Sequence, residues 1–161
     1  MMEPTATTGE QEGAIYARAI LDTLDRLSAC VEGMDTDQLN WQPSAPGANS
    51  VYVLATHILG NAEESILYTL RDQPSTRDRE REFAARAQSL AALQERWQKL
   101  REQLQAAMLG LSAGDLARTV HHPRRGPLTG REVLLLVARH AAEHLGQAEL
   151  TRDLAQALKA T

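Results

Sequence analysis

Aromatic side chains are scarce in this chain, 4% of its 161 residues with a single Phe. A core without rings must be built from Leu, Ala, Val and Ile, which suits packed helices. One cysteine, Cys30, excludes an internal disulfide and, with no Cys-x-x-Cys, a thiolate-rich structural zinc site. No apolar run approaches the roughly 18–20 residues that span a bilayer. The segment Met1 to Gly9 has neither the basic start nor the apolar stretch of a secretory signal. Charge of one sign is also lacking: the formal net charge is -4 and the pI near 5.7, which offers nothing to attract nucleic acid or an anionic membrane. The composition therefore predicts a soluble cytoplasmic protein, with a flexible tail over 1–9 and one domain over 10–161.

What the chain does have is helical periodicity, in four segments. From about Glu10 to Met34, Ile20, Leu24, Leu27, Val31 and Met34 step by four and three along one face. Leu39-Asn40-Trp41-Gln42-Pro43 then reads as a loop. A second helix starts at Asn49 or Ser50, either of which can cap backbone N–H groups, and fades near Asp72. The mixed charges from Arg77 to Glu82 read as a connection or a solvated helix start. The third helix has the clearest stripe, Leu90, Leu93, Trp97, Leu100, Leu104, Met108 and Leu111, and Ser112-Ala113-Gly114 breaks it. A polar loop with His121, His122, Arg124 and Arg125 leads to a fourth helix. That helix opens with Thr129 and Glu132 at capping-box spacing and continues into Val133–Ala138, apolar on every side and so expected to be buried among its neighbours. No strand competes convincingly. The expected fold is all-α, a four-helix up-and-down bundle.

His140 and His144 lie four residues apart on the fourth helix, hence on one face and one turn apart. They follow its most apolar stretch, so they are expected to point inward. His57 sits two turns into the second helix between apolar neighbours. Neutral imidazole suits zinc, nickel, copper or iron(II), and three protein ligands leave coordination positions open. Against this, a lone His on an apolar face is commonly a hydrogen-bonded core residue, and a pair at i, i+4 also arises by chance.

The same residues resemble the DinB-like metal-binding four-helix bundles. Leu39–Pro43 is similar to that family's loop between its first two helices. Ala55-Thr56-His57-Ile58-Leu59 resembles its second helix, and His140-Ala141-Ala142-Glu143-His144 followed by Gln147 its last-helix motif. The resemblance implies one divalent transition metal on His57, His140 and His144, zinc or nickel foremost, with manganese or iron as alternatives. It also implies a homodimer and, for some relatives, transferase or isomerase activity that uses a low-molecular-weight thiol.

An open-sided ion of this kind can acidify a bound water or thiol, so a metal-dependent thiol S-transferase, isomerase or hydrolase acting on a small molecule is one expectation. The other is a non-catalytic metal- or ligand-binding bundle, stress-related and dimeric. Asn61 and Glu64 share the His57 face at plus four and plus seven, and Gln147 stands beside His144. These three, with Arg124 and Arg125 as a cationic rim, are the candidate cofactor- or substrate-binding residues, although ordinary surface or bundle hydrogen bonds explain them equally well. Cys30 reads as a small buried side chain rather than a nucleophile. Glu-x-x-His pairs and His-Glu-x-x-His are absent, which disfavours ferritin-like di-iron chemistry and zinc proteases.

Overall fold

The computed structural model describes residues 8–159. Of the tail expected over 1–9, residues 1–7 lie outside that range, and Thr8 and Gly9 already belong to the first helix. Four long helices carry the fold: α1 (Thr8–Val31), α3 (Val51–Glu63), α5 (Leu90–Met108) and α7 (Gly130–Lys159). Short elements fill the connections: α2 (Thr36–Asn40), α4 (Arg79–Phe83), α6 (Ala113–Ala117), and the strands β1 (Thr119–His122) and β2 (Gly126–Thr129). α3 continues as a π-helical stretch over Glu64–Leu70. The core is aliphatic, as the lack of rings demands: Ile20, Leu24, Ile58, Ile66, Leu104 and Leu134 are among its fully buried side chains.

Local chemistry accounts for most boundaries. Ser50 caps α3 by accepting from the Val53 amide, as its position predicts. The Glu132 carboxylate accepts from the Thr129 backbone N–H at 2.7 Å, and the Glu132 N–H donates back to the Thr129 hydroxyl at 3.3 Å, which closes the expected capping box. A second capping box, Asp35 with Gln38, makes a helix of Thr36–Asn40 and so takes Leu39 and Asn40 out of the stretch that reads as loop in sequence, while Trp41–Pro43 are loop as expected. α2 in turn supplies Asn40, whose amide brackets Ala87 by donating to its carbonyl at 2.9 Å and accepting from its N–H at 2.8 Å.

Two further expectations are corrected. The polar loop after α6 is an antiparallel hairpin, with Val120 opposite Leu128 and His122 opposite Gly126. Gly126 supplies the positive φ of 74° that its turn requires. The fourth helix is not buried on every side, for Leu135 is 59% exposed.

Helix direction also differs from strict up-and-down alternation. Glu12 pairs with Arg131 and Arg26 with Glu149, so α1 and α7 run together. Glu63 meets Arg96 and Arg71 meets the Ala107 carbonyl, so α3 and α5 run together. Asp25 meets Arg101 while Gly13 faces Leu111, so these two pairs oppose each other. The order is up, down, down, up, and α3 is antiparallel to α7 rather than parallel. The reason is the crossover segment 71–89, which contains α4. At up to about 3.3 Å per residue it can return the whole length of α3, which rises only about 1.5 Å per residue. It does so alongside α3, within reach of His57.

Candidate metal centre

His57 rises from α3, and His140 and His144 from facing turns of α7. One nitrogen from each ring lies within 4.8 Å of the others. His57 Nε2 and His140 Nε2 stand 3.1 Å apart. Two lone pairs at that distance repel unless a proton or a cation lies between them. Two nitrogens each about 2.0–2.1 Å from one zinc ion span roughly 3–3.4 Å, so the observed separation fits a shared ion. The three rings meet edge to face, with centroids 4.5–5.3 Å apart. His57 is buried, while His140 and His144 are half-buried, so the cluster opens on the α7 side. The inward orientation expected of the α7 pair is thus partial.

The far nitrogens settle which atoms face the centre. His57 Nδ1 lies 3.0 Å from Glu82 Oε2. A carboxylate can only accept, so Nδ1 carries the proton and Nε2 keeps its lone pair. His144 Nδ1 donates to Gln147 Oε1 at 2.8 Å, with the same consequence. His140 Nδ1 and Asn61 Oδ1 are buried without a partner among the described residues. They are complementary in kind, a ring N–H and an amide acceptor, once His140 also presents Nε2. Burial, followed by the neighbouring His144 and His57, holds His140 down to about 3, so its ring is neutral and able to donate a lone pair at neutral pH. The three histidines therefore fit a divalent cation.

Behind His57 lies a buried ionic network. Arg77, its side chain 3% exposed, donates from Nε and Nη2 to the two Glu82 oxygens at 2.7 and 2.8 Å and from Nη1 to Glu64 at 2.7 Å. Arg124 of the hairpin pairs with the same Glu64 oxygen at 2.8 Å. Two cations thus balance two carboxylates, the condition under which burying such charges is tolerable. Burial raises the Glu82 carboxyl, but the hydrogen bonds from Arg77 and His57 outweigh it and hold it at about 2. Phe83 adds a wall, its ring centroid 4.7 Å from that of His57, and the Arg79 guanidinium carbon sits over the Phe83 ring, 4.7 Å from its centroid.

The candidate residues thus divide. Gln147 orients His144, Glu64 and Arg124 join the ionic network, and Asn61 is buried at plus four from His57. Arg125 is exposed and lines a groove with Leu128, Leu135 and Arg139 that none of the three histidines borders. Next to Arg124, His122 is buried rather than solvated, its Nδ1 accepting from the Arg124 backbone N–H at 3.2 Å. Cys30 is buried as expected, and burial raises its thiol. Arg77, Glu82 and Phe83 escape a sequence reading, since they form part of a mixed-charge stretch. The available signal was Gly60 on an apolar helix, a mark of close approach. A Cβ there would collide with the Glu82 carboxylate.

No curated protein matches the chain significantly. Among solved structures, a crystal structure described as the conserved protein of locus from Enterococcus faecalis has the same fold, with a TM-score of 0.72 at 17% identity. The match covers 89% of this chain and 96% of that one. The profile of the DinB superfamily matches residues 19–148, which takes in the last-helix motif, His57 and the crossover. The chain belongs to the DinB superfamily.

Proposed function

We propose that this protein is a divalent-metal-dependent enzyme, with His57, His140 and His144 as the ligands and a small molecule as substrate. The observation that carries the reading is the convergence of three imidazoles, two of them with the far nitrogen turned to an acceptor, on a point open toward solvent. A closed structural site would use a fourth protein ligand. A bound cation would supply Lewis-acid polarisation of whatever donor occupies its open side. The chain's own residues do the rest: Glu82 and Gln147 hold protons at the Nδ1 atoms, Phe83 shields His57, and half-exposed Arg124 offers positive charge to an anionic substrate. Zinc or nickel is the expected ion, since imidazole donors suit both. Use of a low-molecular-weight thiol rests on the family resemblance.

The second reading, a non-catalytic ligand-binding dimer, is favoured by one observation. Leu150 and Leu154, one turn apart on α7, are 62% and 43% exposed, an apolar pair suited to a second copy.

Elemental mass spectrometry on untagged wild type and His140→Ala separates these readings from an ordinary bundle. About one metal ion per chain, lost in the variant, is expected, followed by metal-dependent turnover in a screen of thiol transfer and hydrolysis. Stoichiometric metal without turnover, in a protein that light scattering finds dimeric, favours the second reading. No metal in either protein after incubation with zinc, nickel and manganese would sink the enzyme reading and the metal-binding form of the second.

A further inference from the structure

We propose that Glu82 is a positioning residue of the metal centre: carried on the crossover segment, its carboxylate accepts the Nδ1 proton of His57 and fixes that ring with Nε2 turned toward His140 and His144. The inference rests on the metal reading above and extends it to a residue outside the bundle's long helices.

Four observations converge on this role. The contact is short, 3.0 Å, and both side chains are buried, 6% and 7% exposed, so water does not compete for either partner. Glu82 is itself immobilised, because Arg77 grips both of its oxygens in a fork. Gly60 leaves the room the carboxylate occupies, since a Cβ at that position would collide with Oε1. Phe83, the next residue, packs its ring against that of His57 at a tilt of 42°, so two consecutive crossover residues hold one imidazole. Arg77 Nη2 also lies 3.4 Å from His57 Nδ1. A guanidinium cannot accept, so with Nδ1 protonated the productive contact is the one to Glu82.

The ligands on α7 are held differently. His144 leans on exposed Gln147 of its own helix, and His140 Nδ1 has no partner among the described residues. His57 alone of the three is oriented by a charged group from a distant part of the chain. A carboxylate on the far nitrogen raises the basicity of the ligating one and removes the ring-flipped and alternative tautomeric states that would turn Nε2 away. A salt bridge serving only to anchor the crossover would bind Glu82 to Arg77 equally well without touching His57.

Competition with a chromophoric chelator tests the proposal, comparing zinc affinity of wild type and Glu82→Gln, with circular dichroism to establish that the variant is folded. The variant keeps the size of the side chain but cannot present two acceptor oxygens to Arg77 and His57 together. Its zinc affinity is expected to fall about 10–100-fold. Imidazole 15N spectra of zinc-loaded wild type give a readout independent of any variant: His57 should carry its proton on Nδ1 and bind zinc through Nε2. A folded Glu82→Gln protein with wild-type zinc affinity, or a His57 that binds zinc through Nδ1, overturns the assignment. Should Glu82→Gln not fold, the wild-type spectrum decides. If wild type takes up zinc and His140→Ala does not, the centre stands whatever becomes of Glu82. If wild type takes up none, both ideas fall together.

Discussion

The two sides of the histidine cluster are built on opposite plans. On the α7 side a single helix supplies two half-buried histidines four residues apart and, in exposed Gln147, the acceptor for one of them. On the α3 side one buried histidine depends on residues from three separate segments: Glu82 and Arg77 from the crossover, Glu64 from the π-helical stretch, and Arg124 from the hairpin through Glu64. Local geometry suffices for the first side, because a helix places i and i+4 together whatever surrounds it. The second exists only when the tertiary fold is complete. Damage should therefore spread differently: confined to metal binding on the α7 side, shared between metal binding and stability on the α3 side.

The largest test of that contrast is Arg77. Replacing it with Met leaves the Glu64 and Glu82 carboxylates buried with one of their two cations gone. Removing one partner of a buried pair costs about 3–5 kcal/mol, because the remaining charge is uncompensated. Urea denaturation of the metal-free Arg77→Met protein should show a loss of that order, whereas His144→Ala should change the same measurement little. Equal stability of the two variants would break the comparison, since it would make the ionic network a bystander.

The same contrast explains what could be read from the sequence. The α7 pair was legible from spacing, the start of α3 from the two possible caps Asn49 and Ser50, and the third long helix from its Leu stripe, because each is a local pattern. His57 stood out as a polar residue in an apolar run. Arg77 and Glu82 did not, for a run of alternating charges looks solvated until the chain is seen to return along α3. Helix direction was missed for the same reason: whether 71–89 turns back at once or crosses the bundle is a property of packing, not of composition. The hairpin strands, four residues each, are too short to display a period of two, and Gly126-Pro127 reads simply as a break. Asn40 lay within a motif recognised as a loop, yet its work is to clamp Ala87 at the far end of the crossover.

Gly60 sharpens the comparison with a smaller perturbation. It lies on α3 three residues beyond His57, and the Glu82 carboxylate occupies the space its missing Cβ would fill. Alanine ordinarily stabilises a helix interior by about 0.5–1 kcal/mol relative to glycine. Here the methyl group must displace a carboxylate that Arg77 holds in place, and overpacking of this kind costs roughly 1–3 kcal/mol. Gly60→Ala is therefore expected to be destabilising overall and to weaken zinc binding. Gly146→Ala on α7, where nothing lies within 4 Å of the added Cβ, should show only the helical gain. A stabilised Gly60→Ala protein with unchanged zinc affinity would mean that the crossover yields easily and does not set the position of His57.

The gentlest probe is pH, applied where the network meets the hairpin. His122 is buried against Ser65 and accepts the Arg124 backbone N–H through Nδ1. Burial lowers its tendency to protonate; Glu64 opposes this in part, and Arg124 and Arg125 reinforce it. The folded protein therefore keeps this ring neutral at pH values where the unfolded chain, titrating near the ordinary 6.5, already takes up a proton. Between 6.5 and the lower folded value the unfolded state binds more protons, so stability falls as pH falls through that window and is fully present above it. His122→Gln retains an acceptor for the amide and a donor for Ser65 but does not titrate. The stability of the metal-free variant should consequently decline less than that of wild type between pH 7 and pH 5.5, by urea midpoint. Any contribution from the three clustered histidines is common to both proteins and cancels in the difference. Parallel pH profiles would show that protonated His122 is tolerated inside the fold, and would confine the cost of burying charge to the carboxylates and arginines nearer His57.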